Sequence, residues 1–161
     1  MSEETAAALQ PNDALGNAIG VREANHIVKN SVIAAMAVSW VPVPVADILM
    51  VSGVCVLMVR RLCEYYETPF DPNLVRGAVL GLGAGVAPLM VTGAMSSAAK
   101  LIPGLGLLAG AAGSSLTAGG LTFAVGQVFI RHFEGNGTLS SFRPDEHLAY
   151  FRSMLTKKTG P

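Results

Sequence analysis

Residues 77 to 130 hold one charged side chain, Lys100, and are otherwise an uncharged stretch rich in Gly, Ala, Leu and Val between Arg76 and Arg131. The first part, residues 77 to 99, is a 23-residue run without charge. As a helix it extends about 35 Å, and about 20 apolar residues suffice to cross the hydrocarbon core of a bilayer. The second part, residues 101 to 130, is longer still. A soluble helix of this length needs a charged outer face, and neither run has one. The pattern predicts a lipid-embedded helical hairpin with Lys100 at its apex.

Composition points the same way, because 14% charged residues lies well below the roughly 25% usual in soluble domains. The eleven Lys and Arg residues balance eleven Asp and Glu. No basic stripe is left to neutralise phosphates, so nucleic acid is not expected as a partner. The opening MSEETAAALQPN is polar and acidic, and no cleavable signal peptide is expected from it.

Three regions follow: a disordered polar tail over residues 1–12, a membrane-embedded helical domain over 13–134, and a C-terminal loop with an amphipathic helix over 135–161. Asp13 reads as the N-cap of a first helix over about 14–40, polar in its first half and wholly apolar in its second. The Trp40-Val41-Pro42-Val43-Pro44 segment stops it, since each proline removes a donor and pushes the residue before it out of the α region. A second helix runs from about Ala46 to Tyr66, and the prolines and aspartate of Glu67 to Asn73 make a turn. The third helix covers about 74–100, Ile102-Pro103-Gly104 turns the chain, and the fourth covers about 105–134. A last helix, about 144–157, has Asp145 and Glu146 in its first turn and lysines at its end, as the helix dipole favours. Its Leu148, Phe151 and Leu155 stripe suits docking on the bundle better than lying on a membrane surface.

The expected fold is therefore all-α: an integral membrane protein of two helical hairpins, four membrane helices in all, with a C-terminal amphipathic helix. This arrangement puts ten of the eleven Lys and Arg residues on one side, which by the positive-inside rule is the cytoplasm, with both termini. A single kinked span over residues 30–59 obeys the rule less sharply. Each arm of the first hairpin has only about 12 to 15 apolar residues, or about 18 to 22 Å, so that hairpin is short enough to be re-entrant.

Candidate functional residues are mostly glycines. Gly77, Gly81 and Gly85 recur every fourth residue on the third helix, and Gly106, Gly110 and Gly113 continue the theme on the fourth. Such ridges let helix backbones approach where lipid supplies no hydrophobic drive, either sealing one hairpin or joining copies into a homo-oligomer. Trp40, Pro42, Pro44 and Asp47 mark the first hairpin turn and Pro103 and Gly104 the second. Asp47 caps the second helix or, as the alternative, lines the path of a channel or small transporter with Ser114, Ser115 and Thr117. A third alternative is a soluble helical partner protein with buried hairpins.

Enzymatic chemistry finds little footing. The glycine stretches lack dinucleotide spacing and a P-loop lysine, and Ser114 and Ser115 have no nearby His or acid. His26, His132 and His147 are scattered along the chain, and Cys55 and Cys63, eight apart on one helix, cannot bridge to each other. No catalytic residue, metal or cofactor is expected.

The order of parts carries a resemblance. Ala34-Ala35 leads to Pro42-Val43-Pro44-Val45-Ala46-Asp47, then a helix through Met58-Val59, then Ile102-Pro103-Gly104-Leu105-Gly106 and Thr122-Phe123-Ala124-Val125-Gly126. Over about residues 20–134 this is similar to the YcjF-like family of bacterial membrane proteins, the domain of unknown function numbered 697. The resemblance implies the bacterial inner membrane and a link to Era-like or dynamin-like GTPases. This sequence departs from larger members in carrying no GTPase domain, so a separate GTPase or independent action is expected. The expected function is a non-enzymatic, self-associating membrane scaffold or anchor, related to curvature.

Overall fold

The computed structural model describes the backbone over residues 11–38, 44–95 and 105–157, with side chains over 18–38, 50–86 and 115–156. Among these residues the chain is all-α, with five helices: α1 (Pro11–Val38), α2 (Pro44–Tyr65), α3 (Pro72–Met95), α4 (Leu105–Glu134) and α5 (Pro144–Lys157). A short 3-10 turn at Leu139–Ser141 leads into α5. The boundaries fall close to those the prolines and glycines predict. At the N-terminus α1 begins two residues before Asp13, with Pro11 in the first helical position, where its missing N–H is no loss.

Local chemistry fixes the turn between α2 and α3. Glu67 takes a left-handed φ of 51° after the last turn of α2, and the Thr68 N–H donates to the Cys63 carbonyl at 2.9 Å. Asp71 then caps α3, its Oδ1 accepting from the Asn73 N–H at 2.8 Å, with Pro72 as the first helical residue. So short a link holds α2 and α3 antiparallel. At the end of α4, Asn136 takes a φ of 57° and the Gly137 N–H donates to the His132 carbonyl at 2.9 Å.

Helix α1 packs on α2 and α4, while α3 packs chiefly on α2 and α5. Helix α5 lies across α3 and α4, so the described halves of those two helices are joined mainly through it. The expected docking of α5 is borne out: Phe151 is 1% exposed, and Leu148 and Leu155 pack on the core. That core contains Val28 of α1, Met58 and Leu62 of α2, Val75 and Leu82 of α3, and Val128 and Phe129 of α4. Cys55 and Cys63 are buried free thiols.

Among the described residues no helix is long and apolar enough to cross a membrane. The expected reversals at Trp40, Pro42, Lys100, Pro103 and Gly104 lie outside the described residues.

Candidate functional site

Two seams of close helix contact and one surface boundary organise the charged end of this bundle. The first seam joins α1 to α4. A Cβ on Gly126 would come within 2.6 Å of Val28 Cγ2 and 3.2 Å of its Cβ, so only a glycine lets that stiff β-branched side chain lie against α4. Two turns away, a Cβ on Gly119 would meet Met36 Cγ at 2.8 Å. Polar groups clasp the same seam: Gln127 Nε2 donates to Asn25 Oδ1 at 2.7 Å, and Ser115 Oγ donates to the Met36 carbonyl at 3.1 Å. Thr122, fully buried on α4, lies 3.8 Å from Cys55 Sγ of α2.

The second seam joins α3 to α5. A Cβ on Gly81 would meet Pro144 Cγ at 2.9 Å, and one on Gly85 would overlap the Leu148 side chain. Arg152 Nη2 donates to the Gly85 carbonyl at 2.8 Å, an extra tie outside the normal helix ladder. Gly77 belongs to the same four-residue repeat, yet nothing lies within 4 Å of the position its Cβ would take. The repeat thus divides: Gly81 and Gly85 face α5 of their own chain, and Gly77 is open. Gly106, Gly110 and Gly113 lie within α4, and Pro44 and Asp47 in the first turn of α2, but their surroundings are outside the described residues. The close-packed Gly119 and Gly126 were not among the expected contact glycines, because spacing alone does not say which face of α4 meets α1.

The structure also brings together two histidines that are fifteen residues apart. His147 Nε2 lies 3.3 Å from His132 Nδ1, and His132 Nε2 lies 3.0 Å from the Thr138 carbonyl. A carbonyl only accepts, so His132 Nε2 carries a proton and its Nδ1 receives the His147 N–H when both rings are neutral. Phe142 stacks on His147 with ring centroids 4.9 Å apart. Burial, chiefly, and then the neighbouring His132 hold the pKa of His147 below the usual histidine value. Among the described residues no three His, Cys, Asp or Glu side chains gather as a metal site would need.

The surface boundary repeats on three helices. Lys29 and Ile33 on α1, Arg61 and Leu57 on α2, and Arg76 and Leu80 on α3 are pairs four residues apart, so each shares one helix face, and all six are exposed. Ile33 is 65%, Leu57 60% and Leu80 63% exposed. In every pair the apolar member lies toward the uncharged end of its helix. Exposed aliphatic side chains thus stand one turn from an exposed cation on three helices, while Ile19 and Leu74 are exposed on the charged side of α1 and α3.

A family model described as "Domain of unknown function (DUF697)" matches residues 14–149, which spans nearly all of the four longer helices and ends within the first half of α5. "Magnetosome membrane protein 22" of Magnetospirillum gryphiswaldense is 36% identical over 141 residues, covering 83% of this chain and 69% of that protein. No solved structure matches.

Proposed function

The chain belongs to the DUF697 family, and from that premise we propose that it is a non-enzymatic membrane protein whose uncharged helix ends sit in lipid beneath a compact, charged cap. The observation that carries this reading is the exposed aliphatic side chain one turn beyond the last cation on each of α1, α2 and α3. Ile33, Leu57 and Leu80, each one turn from an exposed cation, are accounted for if lipid covers them. The relative's name as a membrane protein of the magnetosome supports the same placement. In this reading the start of α1 and the α5 cap face the cation-rich side, which the positive-inside rule would make cytoplasmic.

In this reading the chain is a scaffold or anchor. Gly81 and Gly85 hold the cap closed, and Gly119 and Gly126 hold α1 to α4. Contacts between copies use outer faces, where Gly53 of α2 and Gly77 and Gly83 of α3 have nothing within 4 Å of a Cβ position. The family resemblance makes a separate GTPase the partner to seek at the charged cap. Fractionation of expressing cells tests the placement: the chain should stay in the membrane pellet through alkaline carbonate extraction and float with lipid. Recovery in the supernatant without detergent overturns it. Light scattering of the detergent-extracted particle tests assembly, with a wild-type monomer or an unchanged oligomer in Gly77→Leu ruling out contact through this face.

A further inference from the structure

A groove of about 120 Å³ opens between α1 and α2 at the level where charge ends on both helices. Its apolar wall is Ala34, Val54, Leu57 and Met58, and its rim toward the charged cap is Asn30 and Arg61. Met58 is fully buried and forms the floor, whereas Leu57 is 60% exposed and stands at the edge. Ser31 also lines the groove, beyond which α1 reads AMAV, and α2 holds no charge between Asp47 and Arg60.

The two arginines at this level differ in their bonding. Arg60 Nε donates to Glu64 Oε1 at 3.0 Å and is locally neutralised. Arg61, exposed on the rim, makes no ion pair or hydrogen bond among the described residues. Asn30 Nδ2 lies 3.3 Å from His26 Nδ1, which occupies one of its two amide hydrogens and leaves the other for a ligand.

We propose that this groove binds an anionic phospholipid, its phosphate paired with Arg61 and hydrogen-bonded by Asn30, and one acyl chain along Ala34, Val54 and Leu57. The guanidinium fork matches phosphate oxygens in bidentate fashion, and the apolar wall begins where a headgroup gives way to its chain. Net positive charge at the rim selects an anionic lipid over a zwitterionic one, which brings its own cation. A free phosphate gains nothing from the apolar wall. This inference rests on the membrane placement above.

The test is native mass spectrometry of the full chain, purified in detergent and titrated with phosphatidylglycerol or phosphatidylcholine. Phosphatidylglycerol should be retained preferentially, and Arg61→Gln should weaken it about tenfold, as loss of one charged hydrogen-bonding partner does. Arg60→Gln should leave it unchanged, and inorganic phosphate should not compete. Ala34→Phe, which fills the groove while keeping both arginines, should reduce retention independently. Equal retention of the two lipids, or equal effects of the two arginine variants, overturns the site. Carbonate extraction of the same variants keeps this failure distinct, since a chain that stays in the membrane without lipid preference loses only the groove proposal.

Discussion

The side chain of Leu148 on α5 occupies the space that any side chain on Gly85 of α3 would need, and the Gly85 carbonyl accepts a hydrogen bond from Arg152 one turn further along α5. A missing side chain and a spare carbonyl lone pair on one residue thus hold the C-terminal helix in place. The same helix buries Phe151 in the core shared by all four longer helices. Docking of α5 and closure of the charged cap are therefore one event.

Gly85→Val puts a branched side chain where Leu148 lies and should release α5. The cost is that of overpacking, about 1–3 kcal/mol, with exposure of the Phe151 contact added. Limited proteolysis of the detergent-solubilised protein should then cut between Gly135 and Pro144 faster than in the wild type. Leu148→Ala in the same chain should restore part of the protection. Unchanged cleavage would mean that α5 does not depend on this seam.

The α1–α4 seam makes a sharper distinction between two glycines. Gly126 faces the stiff Val28, so Gly126→Ala should destabilise by about 1–3 kcal/mol, and Val28→Ala should partly rescue it. Gly119 faces the thioether arm of Met36, which can swing aside, so Gly119→Ala should be close to neutral once the gain of about 0.5–1 kcal/mol in helix propensity is included. Within a single copy, Gly77→Ala has open space around it and should stabilise the monomer by a similar small amount. Thermal unfolding in detergent ranks the three, and a Gly126→Ala as stable as Gly119→Ala contradicts the geometry.

Helix number, type and boundaries were legible because prolines, Asp71 and the Glu134-to-Gly137 segment punctuate the chain with local chemistry. The docking of α5 was legible from the stripe of Leu148, Phe151 and Leu155, one face of a helix with charges elsewhere. Which glycine meets which helix was not legible. A four-residue repeat puts Gly77, Gly81 and Gly85 on one ridge, but α5 covers only the last two, and nothing local to α3 says where a helix sixty residues later will lie. The histidine pair was hidden for the same reason, since the 3-10 turn at Leu139–Ser141 sets how α5 folds back on α4. The cation–aliphatic pairs were readable in principle, being four apart on each helix, but their exposure is a tertiary fact.

Tyr66 presents a hydroxyl buried near Glu134 but without a hydrogen bond of good geometry among the described residues. Burial first, then the nearby Glu134 carboxylate and Tyr65, push its pKa up to about 12. A pKa raised above the unfolded value near 10 means this contribution to stability is complete below pH 10 and is lost as pH rises through 12. Tyr66→Phe keeps the ring packed on Phe133, at a centroid distance of 5.5 Å, and removes the unpaired group. That variant should be more stable by about 1 kcal/mol. Ultraviolet titration should show one late-ionising tyrosine in the wild type that is missing in the variant. A less stable Tyr66→Phe would mean the hydroxyl is bonded after all.

The His132–His147 contact makes closure of the cap depend on pH. Neutral rings form a chain from His147 through His132 to the Thr138 carbonyl, and one added proton can be shared between the facing nitrogens. A proton held on His147 places a cation beside Arg131 and 3.3 Å from the His132 ring. Burial, His132 and Arg131 lower the pKa of His147, and only Glu146 opposes them. A folded pKa below the unfolded 6.5 means the unfolded chain binds protons first. The stabilisation is therefore complete above pH 6.5 and is lost as pH falls through the folded value. Proteolytic protection of the segment between α4 and α5 should fall between pH 7.5 and pH 5, and His147→Gln should flatten that dependence by removing one titrating group while keeping a polar side chain. Wild type and variant losing protection in parallel would assign the effect to other groups, whereas a flat profile in the variant alone makes this pair the acid-sensitive fastening of α5.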